Sequence, residues 1–362
     1  MAQQAGNIRI ARFHPLRDEV SESLRDAFAN LEHSNPQFSL AWLCTIASHA
    51  LDAGEEPVIF TAENDSGGLA ALPLKISTSG EAQALVNFYT SLYQPVADEA
   101  QALPLYTAIF RHLRQAEGLH TVLLAPLDGS TALFPLLGQA LTAAGWSGVH
   151  DYFCFGNWYY HTRSPSWEGY RESRPSRLKN TIARKTRSFL RDDRGRLEII
   201  SDGDRLDQGI DDYNAIYHSS WKRNEPYPGF IPALVSLAAD KGWLRLGLAY
   251  YDEVAVASQI WLVADGTAYI FKLAYHPDYA GMSPGTVLTA HLARSVLEED
   301  RVHTIDYLSG DDTYKRDWMS ERRERYGIAA FNARTPTGSC KLVREWLRRL
   351  LRGGRESAAG AD

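Results

Sequence analysis

The sequence has few of the residues that mark secreted, metal-binding or membrane-spanning proteins. Its three cysteines, Cys44, Cys154 and Cys340, are far apart and form no C-x-x-C pair, which argues against a disulfide framework and a zinc site. The eleven histidines show no H-E-x-x-H or clustered spacing, so no metal site is predicted. No apolar run approaches the roughly 20 residues that cross a bilayer. Residues 1–10 carry no secretory signal pattern, so we expect a cytoplasmic protein.

Charge and length narrow the class of protein further. The net charge of −6 gives no general attraction to nucleic acid, so we expect no DNA partner, and any anionic partner needs a local basic patch. The chain of 362 residues is more than twice the length of a common domain of ~150 residues, which favours two domains of similar size.

Hydrophobic periodicity predicts one order of elements twice: two helices, an antiparallel meander, a helix and a strand. In the first half the predicted elements are strand 8–13, helices 19–31 and 40–51, strands 57–62, 69–76 and 84–90, helix 103–117, strand 121–125, helix 131–144 and strand 148–155. In the second half they are helices 204–221 and 231–241, strands 244–251, 254–263 and 268–275, helix 285–299, and strands 302–307 and 325–332.

This repetition predicts an α/β fold with two related domains, each a mostly antiparallel mixed sheet flanked by helices. The expected boundaries are 1–165 for the first domain and 166–335 for the second, which begins with a basic linker helix at 174–196. Residues 336–362 are expected to form a basic amphipathic helix and a tail.

The segment that follows strand 268–275 has the pattern of an anion site. A polar loop leads into a helix, with Ser283 as the N-cap and Pro284 at the first helical position. The amides of Gly285, Thr286 and Val287 would then be free to bind a phosphate at the helix start. The alternative is an ordinary connection between a strand and a helix.

The same loop also satisfies G-x-S-x-G, the nucleophile elbow of serine hydrolases, at residues 281–285. We reject that interpretation on chemical grounds. The amide after the serine must donate to the oxyanion, and here that residue is Pro284, which has no N–H.

Three stretches resemble known families. The loop with Gly281 and Gly285 is similar to the pyrophosphate-binding motif of GNAT acyltransferases. GDDTYKRDW, which ends at Trp318, resembles the Gly-Asp-x-x-Tyr-Lys-x-x-Trp signature of CelD-like acetyltransferases, double-GNAT proteins related to the Fem peptidyl transferases. SRLKN, which begins at Ser176, is similar to the interdomain segment of that family. The resemblance covers about residues 20–335.

The resemblance implies two tandem GNAT-like domains, with acyl-CoA as a co-substrate and no permanently bound cofactor. The second domain would be catalytic, and the first would shape the acceptor cleft. The thioester carbonyl would bind exposed backbone near Leu273–Tyr275. Asp306 would be the general base or amine anchor, Tyr314 a proton donor, and Lys315 an oxyanion or phosphate stabiliser. The residues expected to bind the donor are Leu273, Tyr275, Gly281, Ser283, Gly285, Thr286 and Val287.

Other residues are expected to contact the acceptor, or simply to be satisfied surface groups. They are His218, Trp221, Asp312 and Arg177. Arg177 belongs to a basic patch at 174–196 that is either a solvated helix face or a site for a phosphate-bearing substrate. A second patch, at 341–352, forms a basic helix with Trp346 on its apolar side, and it either packs on the protein or lies on an anionic membrane at the inner face.

The resemblance therefore implies N-acyl transfer from a CoA thioester to a small amine, such as an amino sugar or a lipid-like amine, by direct attack. Two alternatives remain. One is a Fem-like aminoacyl transfer from charged tRNA. The other is a non-catalytic binding protein that takes part in polysaccharide or lipid assembly.

Overall fold

The computed structural model describes residues 7–359 apart from positions 221 and 223, and side chains for the same residues except 192 and 350–359. Trp221, one of the expected acceptor contacts, lies outside the described residues. The chain divides into two compact units. Unit 1 comprises Met1–Glu32, Gln37–Cys154 and Glu324–Asp362, and unit 2 comprises His33–Pro36 and Phe155–Arg323.

The elements up to the end of the first repeat are a strand, two helices, a group of four strands, and then a helix, a strand, a helix and a strand. They are β1 Ile8–Phe13, α1 Glu22–Ser34, α2 Leu40–His49, β2 Glu55–Asn64, β3 Leu69–Ser77, β4 Glu81–Ala84, β5 Val96–Ala97, α3 Ala102–Gln115, β6 Thr121–Asp128, α4 Leu133–Ala143 and β7 Ser147–His161.

The remaining elements repeat this order after two linking helices. They are α5 Trp167–Glu172, α6 Ser176–Phe189, β8 Gly195–Ile200, α7 Leu206–Ser219, α8 Phe230–Asp240, β9 Leu244–Tyr251, β10 Val254–Ala264, β11 Thr267–Tyr275, α9 Pro284–Glu298, β12 Thr304–Asp306, α10 Lys315–Trp318, β13 Glu321–Phe331 and α11 Pro336–Ala359.

The pairing of strands follows one scheme in each unit. The meander β2-β3-β4 and the meander β9-β10-β11 are antiparallel. Each is extended by one parallel pair, β4 with β6 and β11 with β12. A helix precedes the second strand of each parallel pair, as a parallel connection requires. The predicted α/β fold, with repeated mixed sheets, is confirmed.

Several predicted elements differ from the structure. The predicted strand 84–90 is wrong, because β4 ends at Ala84. The predicted helix 174–196 is interrupted: α6 ends at Phe189, and β8, which was not predicted, begins at Gly195. The chain turns back tightly here, since a Cβ at Gly195 would lie 2.0 Å from the carbonyl oxygen of Phe189. The units divide at residues 154 and 323, unlike the expected limits of 165 and 335.

Helix α9 is the central helix of unit 2. Its side chains Val287, Leu288, Leu292 and Val296 are all 1% exposed or less. Gly247 of β9 lets this helix approach closely, because a Cβ there would lie 2.6 Å from Cδ1 of Leu292. Burial of four large aliphatic side chains contributes several kcal/mol, and it fixes where the start of α9 lies on the sheet.

Candidate active site

Strand β11 of unit 2 extends beyond the end of its parallel neighbour, β12. It pairs with β10 as far as Tyr275, opposite Ala257. Its pairing with β12 covers only three residues and ends where Tyr269 faces Asp306. The register with β10 also shifts next to Phe271, which indicates a bulge. Beyond Tyr269, no strand of the described chain borders β11 on the β12 side, so a gap opens between the two strands.

The start of α9 follows the end of β11 after one short turn. Pro277–Met282 forms a short 3-10 turn after β11, and the helix begins at Pro284. No protein acceptor for the amides of Gly285 and Thr286 is found within residues 7–359. Two orphan N–H groups and the positive end of the helix dipole therefore remain for an anion.

Two of the expected donor contacts behave differently from the prediction. Ser283 occupies the N-cap position, but its backbone is left-handed (φ 57°, ψ 48°) and its side chain makes no capping hydrogen bond. The Val287 amide is not free, because it donates to the Ser283 carbonyl at 3.1 Å, and the Val287 side chain is 1% exposed. Val287 therefore anchors the helix in the core instead of binding a phosphate.

A cation from α6 lies beside the same loop. The Nζ atom of Lys185 donates to the Gly281 carbonyl at 2.5 Å. On the other side, the half-buried ring of Tyr275 lies next to Gly285, where a Cβ would be 3.5 Å from its Cδ1. Leu273 is also half-buried. The loop thus combines free amides, one ammonium group and an aromatic edge.

Asp306 at the end of β12 is 2% exposed, and both oxygens of its carboxylate accept hydrogen bonds. Its Oδ1 accepts from Asn157 Nδ2 and from the Leu308 amide, each at 2.7 Å. Its Oδ2 accepts from Arg323, whose Nε also donates to Asn157 Oδ1 at 2.6 Å. The expected general-base role does not fit this arrangement, because three donors already hold both oxygens. Asp306 instead fixes the chain at the point where β12 ends.

Lys315 likewise holds the chain in place, here in the loop that follows β12. Its side chain is buried, and Nζ contacts the carbonyl oxygens of Ser309 at 2.5 Å and Gly310 at 3.3 Å. The Asp312 carboxylate lies 3.5 Å away. Burial lowers the pKa of Lys315, while Asp312 opposes that shift. The ammonium is largely occupied by the loop, which leaves little of it for an oxyanion.

Tyr314 lies at the surface of this loop with its ring 44% exposed. The ring meets Tyr307 edge to face, with centroids 5.7 Å apart. Desolvation of the hydroxyl and the nearby Asp312 raise the pKa of Tyr314 to about 12. The phenol is therefore protonated at neutral pH, and its expected role as a proton donor stays a prediction.

A lysine cluster lies beside the overhanging part of β11. Lys272 of β11 pairs with Glu225 at 2.8 Å, and both side chains are largely buried. Lys222, in the loop after α7, is half-buried, and its Nζ lies 5.7 Å from the Tyr217 ring centroid, as does that of Lys272. We refer to Lys222, Lys272 and Lys315 as the lysine cluster.

A family comparison identifies the domain that contains these groups. Residues 176–316 match the family model of the acetyltransferase (GNAT) domain. The chain carries a GNAT acetyltransferase domain. The GNAT domain that was predicted for the second half of the chain is thereby confirmed. No curated protein matches the sequence significantly.

Solved structures with the same fold extend across both units. FemX is 10% identical, with a TM-score of 0.58, over 89% of this chain and 98% of its own. The C-terminal domain of an Agrobacterium fabrum protein described as a lysylphosphatidylglycerol synthetase is 13% identical, with a TM-score of 0.53, over 80% and 91%. A tandem GNAT protein from the clavulanic acid biosynthesis pathway is 12% identical, with a TM-score of 0.50, over 90% and 98%. At these identities the likeness concerns the fold.

The remaining expected acceptor contacts are dispersed over the GNAT domain. His218 is exposed, and its Nδ1 contacts the Asn214 carbonyl of its own helix at 2.6 Å. Arg177 lies on the exposed face of α6, which also presents Arg184 and Arg187. Asp312 is exposed beside Lys315. Of these three, only Asp312 lies at the loop that borders the gap.

Sequence reasoning assigned no role to four polar residues of unit 2: Lys222, Lys272, Glu225 and Arg323. One of them had a visible signal. Lys272 is the only charged residue in the apolar strand from Ala268 to Tyr275, and a charge within a buried strand needs a partner. Glu225 lies 47 residues away in the chain, so only the fold brings the two together.

Proposed function

We propose that the GNAT domain transfers an acyl group from acyl-CoA to an amine acceptor and binds the donor diphosphate at the start of α9. The observation that carries this proposal is the pair of unpartnered amides at Gly285 and Thr286 beside the overhanging end of β11. Helix starts of this kind bind phosphates through free N–H groups and the helix dipole. The ammonium of Lys185, which contacts Gly281, adds a positive charge at the same loop.

The reaction needs alignment, proton transfer and charge stabilisation. An amine nitrogen attacks the thioester carbonyl and forms the C–N bond, and the C–S bond breaks without a covalent enzyme intermediate. The proton that the amine loses replaces the one that Tyr314 gives to the leaving thiolate, so the step balances. Backbone groups of β11 beyond Tyr269 are the proposed partners of the thioester carbonyl, since β12 does not cover them. The protonated hydroxyl of Tyr314 is the proposed donor to the leaving thiolate. Asp306 and Lys315 hold the loop that presents Tyr314.

Acetyl-CoA should stabilise the protein measurably. At about one hundred times its Kd, a ligand adds about 2.7 kcal/mol to the free energy of unfolding, which corresponds to a rise in Tm of roughly 5–10 °C. Thermal denaturation with and without acetyl-CoA measures this shift. The absence of a shift at millimolar acetyl-CoA would contradict the proposal and favour a non-catalytic binding protein.

The contribution of Lys185 can be tested separately. Lys185→Met should raise the Kd for acetyl-CoA about tenfold, since it removes one charge-assisted contact near the diphosphate. Isothermal titration calorimetry measures the Kd. Arg191→Met is the matched control, because Arg191 is an exposed cation that follows α6 and has the same charge. Equal losses in the two variants would indicate only a general effect of charge.

We also propose that α11 contacts an anionic membrane surface. Val343, Trp346 and Leu347 form an exposed apolar row, 55%, 60% and 48% exposed. Arg344 and Arg348 flank this row. Leu342 points the other way, toward Gly148, where a Cβ would lie 2.3 Å from its Cδ1. Exposed apolar and aromatic side chains beside arginines are typical of helices that lie in a membrane interface. Within the described residues, no helix is long and apolar enough to span a bilayer.

Co-sedimentation with vesicles tests this membrane contact. The protein should bind vesicles that contain phosphatidylglycerol and not pure phosphatidylcholine vesicles, because the arginines need anionic lipid. Trp346→Ala should weaken binding roughly tenfold, since the apolar area is lost. Phe88→Ala is the control, because Phe88 is equally exposed at 58% and does not belong to α11. A Trp346 variant that binds like the wild type would refute the contact.

A further inference from the structure

Two of the three ammonium groups in the lysine cluster have a carboxylate partner within 4 Å. Glu225 pairs with Lys272, and Asp312 lies 3.5 Å from Lys315. Lys222 Nζ, by contrast, has no hydrogen-bond acceptor in the part of the chain that the structure describes, and it lies 5.7 Å from the centroid of the Tyr217 ring. A half-buried ammonium without an acceptor is costly, so the arrangement favours an external anion.

The electrostatics of Lys222 agree with this geometry. Burial and, to a smaller extent, the charges of Lys272 and Lys315 together lower the pKa of Lys222 to about 8, while Glu225 and Asp312 oppose the shift. The groups that face Lys222 thus come from four elements: α7 with Tyr217, the loop after it, β11 and the α10 region. At neutral pH the ammonium is still mostly protonated, so it can hold a negative group.

The position of the cluster relates it to the reaction. Lys272 belongs to the part of β11 that extends beyond Tyr269, where β12 no longer borders the strand. The same part of β11 is the proposed partner of the thioester carbonyl. An anion bound at Lys222 would therefore lie near the reacting amine of the same molecule.

We propose that the lysine cluster binds an anionic group of the acceptor, so that the substrate is an amine that also carries a carboxylate or a phosphate. This inference rests on the proposed acyl-CoA-dependent function. A purely cationic amine, such as a polyamine, would meet the ammonium of Lys222, which has no carboxylate partner, and this like charge disfavours its binding. An acidic amine would supply the missing counter-charge and be oriented by it.

Matched pairs of acceptors test the proposal on the full chain. Glucosamine 6-phosphate is compared with glucosamine, and alanine with alaninamide, by the release of CoA thiol from acetyl-CoA. We expect the anionic member of at least one pair to have a kcat/KM at least tenfold higher. The phosphate pair and the carboxylate pair distinguish the two kinds of anion. Lys222→Met should remove the preference, and Lys222→Arg should keep it.

The pH dependence adds a second readout. The ammonium is the protonated form, so the preference should be present below the pKa of Lys222, about 8, and fade as the pH rises through it. Titration of the acceptor cannot cause this loss of preference, because a carboxylate or phosphate that is already ionised at pH 7 stays ionised as the pH rises. Lys222→Arg should shift the loss to higher pH, because arginine stays charged.

Direct binding separates this inference from the proposed function. Inorganic phosphate should protect the wild type, without acyl-CoA, against thermal unfolding more than it protects Lys222→Met. The inference is overturned if phosphate protects both equally, if neutral and anionic acceptors react equally, or if no acceptor of the panel reacts while acetyl-CoA binds. Failure of acetyl-CoA to bind, with phosphate protection intact, would instead overturn the proposed function.

Discussion

A protein with aspartate in place of Gly285 should bind acetyl-CoA at least a hundredfold more weakly while folding as stably as the wild type. A side chain at Gly285 is sterically tolerated, because its Cβ would meet only Cδ1 of Tyr275 at 3.5 Å, an ordinary contact. A carboxylate there would accept from the free amides and favour the helix dipole. It would also compete with the diphosphate for these amides and repel it. The loss of the two charge-assisted contacts from the amides corresponds to a Kd for acetyl-CoA that is about one hundred times higher.

Gly285→Ala is the matched control for that variant. It adds a Cβ without a charge, so the Kd for acetyl-CoA should change by only a few-fold. Calorimetric titration gives the Kd, and urea denaturation gives the free energy of unfolding. If Gly285→Asp retains wild-type affinity, the diphosphate does not bind at the start of α9, and the proposed function loses its main support.

Asp306→Ala should lower the free energy of unfolding by about 3 kcal/mol. The substitution removes the acceptor for Asn157, for the Leu308 amide and for Arg323, and it leaves buried donors without partners. In a unit of this size the loss corresponds to a fall in Tm of roughly 6–12 °C. Urea denaturation, followed by tryptophan fluorescence, measures it.

Asp311→Ala provides the comparison for Asp306. Asp311 also pairs with an arginine, Arg322, at 2.8 Å, but the two side chains are 46% and 30% exposed. Solvent screens such a pair, so its loss should lower the free energy of unfolding much less than the loss of the Asp306 carboxylate does. Equal losses for Asp306 and Asp311 would show that the carboxylate at the end of β12 does not organise the site.

The repeated order of elements could be predicted from the sequence because it depends on local periodicity. The segment from β11 through the loop to α9 was recognised within a residue or two, since a strand, a polar loop and Pro284 follow one another in the chain. The turn and the helix start at Gly285 were predicted for the same reason. The missing capping hydrogen bond of Ser283 was not predicted, because the left-handed backbone of this residue depends on the turn before it.

The acceptor side could not be predicted in the same way. Lys222 and Lys272 are separated by fifty positions in the sequence, and nothing local indicates that they share the face of Tyr217. Likewise, Asp306 was singled out for its position at a strand end. Its role depends on Asn157, which is 149 residues away in the chain. Local signals identify which side chains are unusual, whereas their partners come from sheet topology.

The brevity of β12 has a further consequence. Two parallel strands that lie side by side tend to continue pairing, since each added residue satisfies backbone groups. Here Leu308 adopts φ 54° directly after the strand, and its amide bonds to Asp306, so the chain is steered away before a fourth pair can form. The conformation of residues 306–308 thus prevents further pairing between β11 and β12 and keeps the gap beside β11 open. A substitution that allowed this pairing to continue would close the gap without altering any residue proposed to touch substrate.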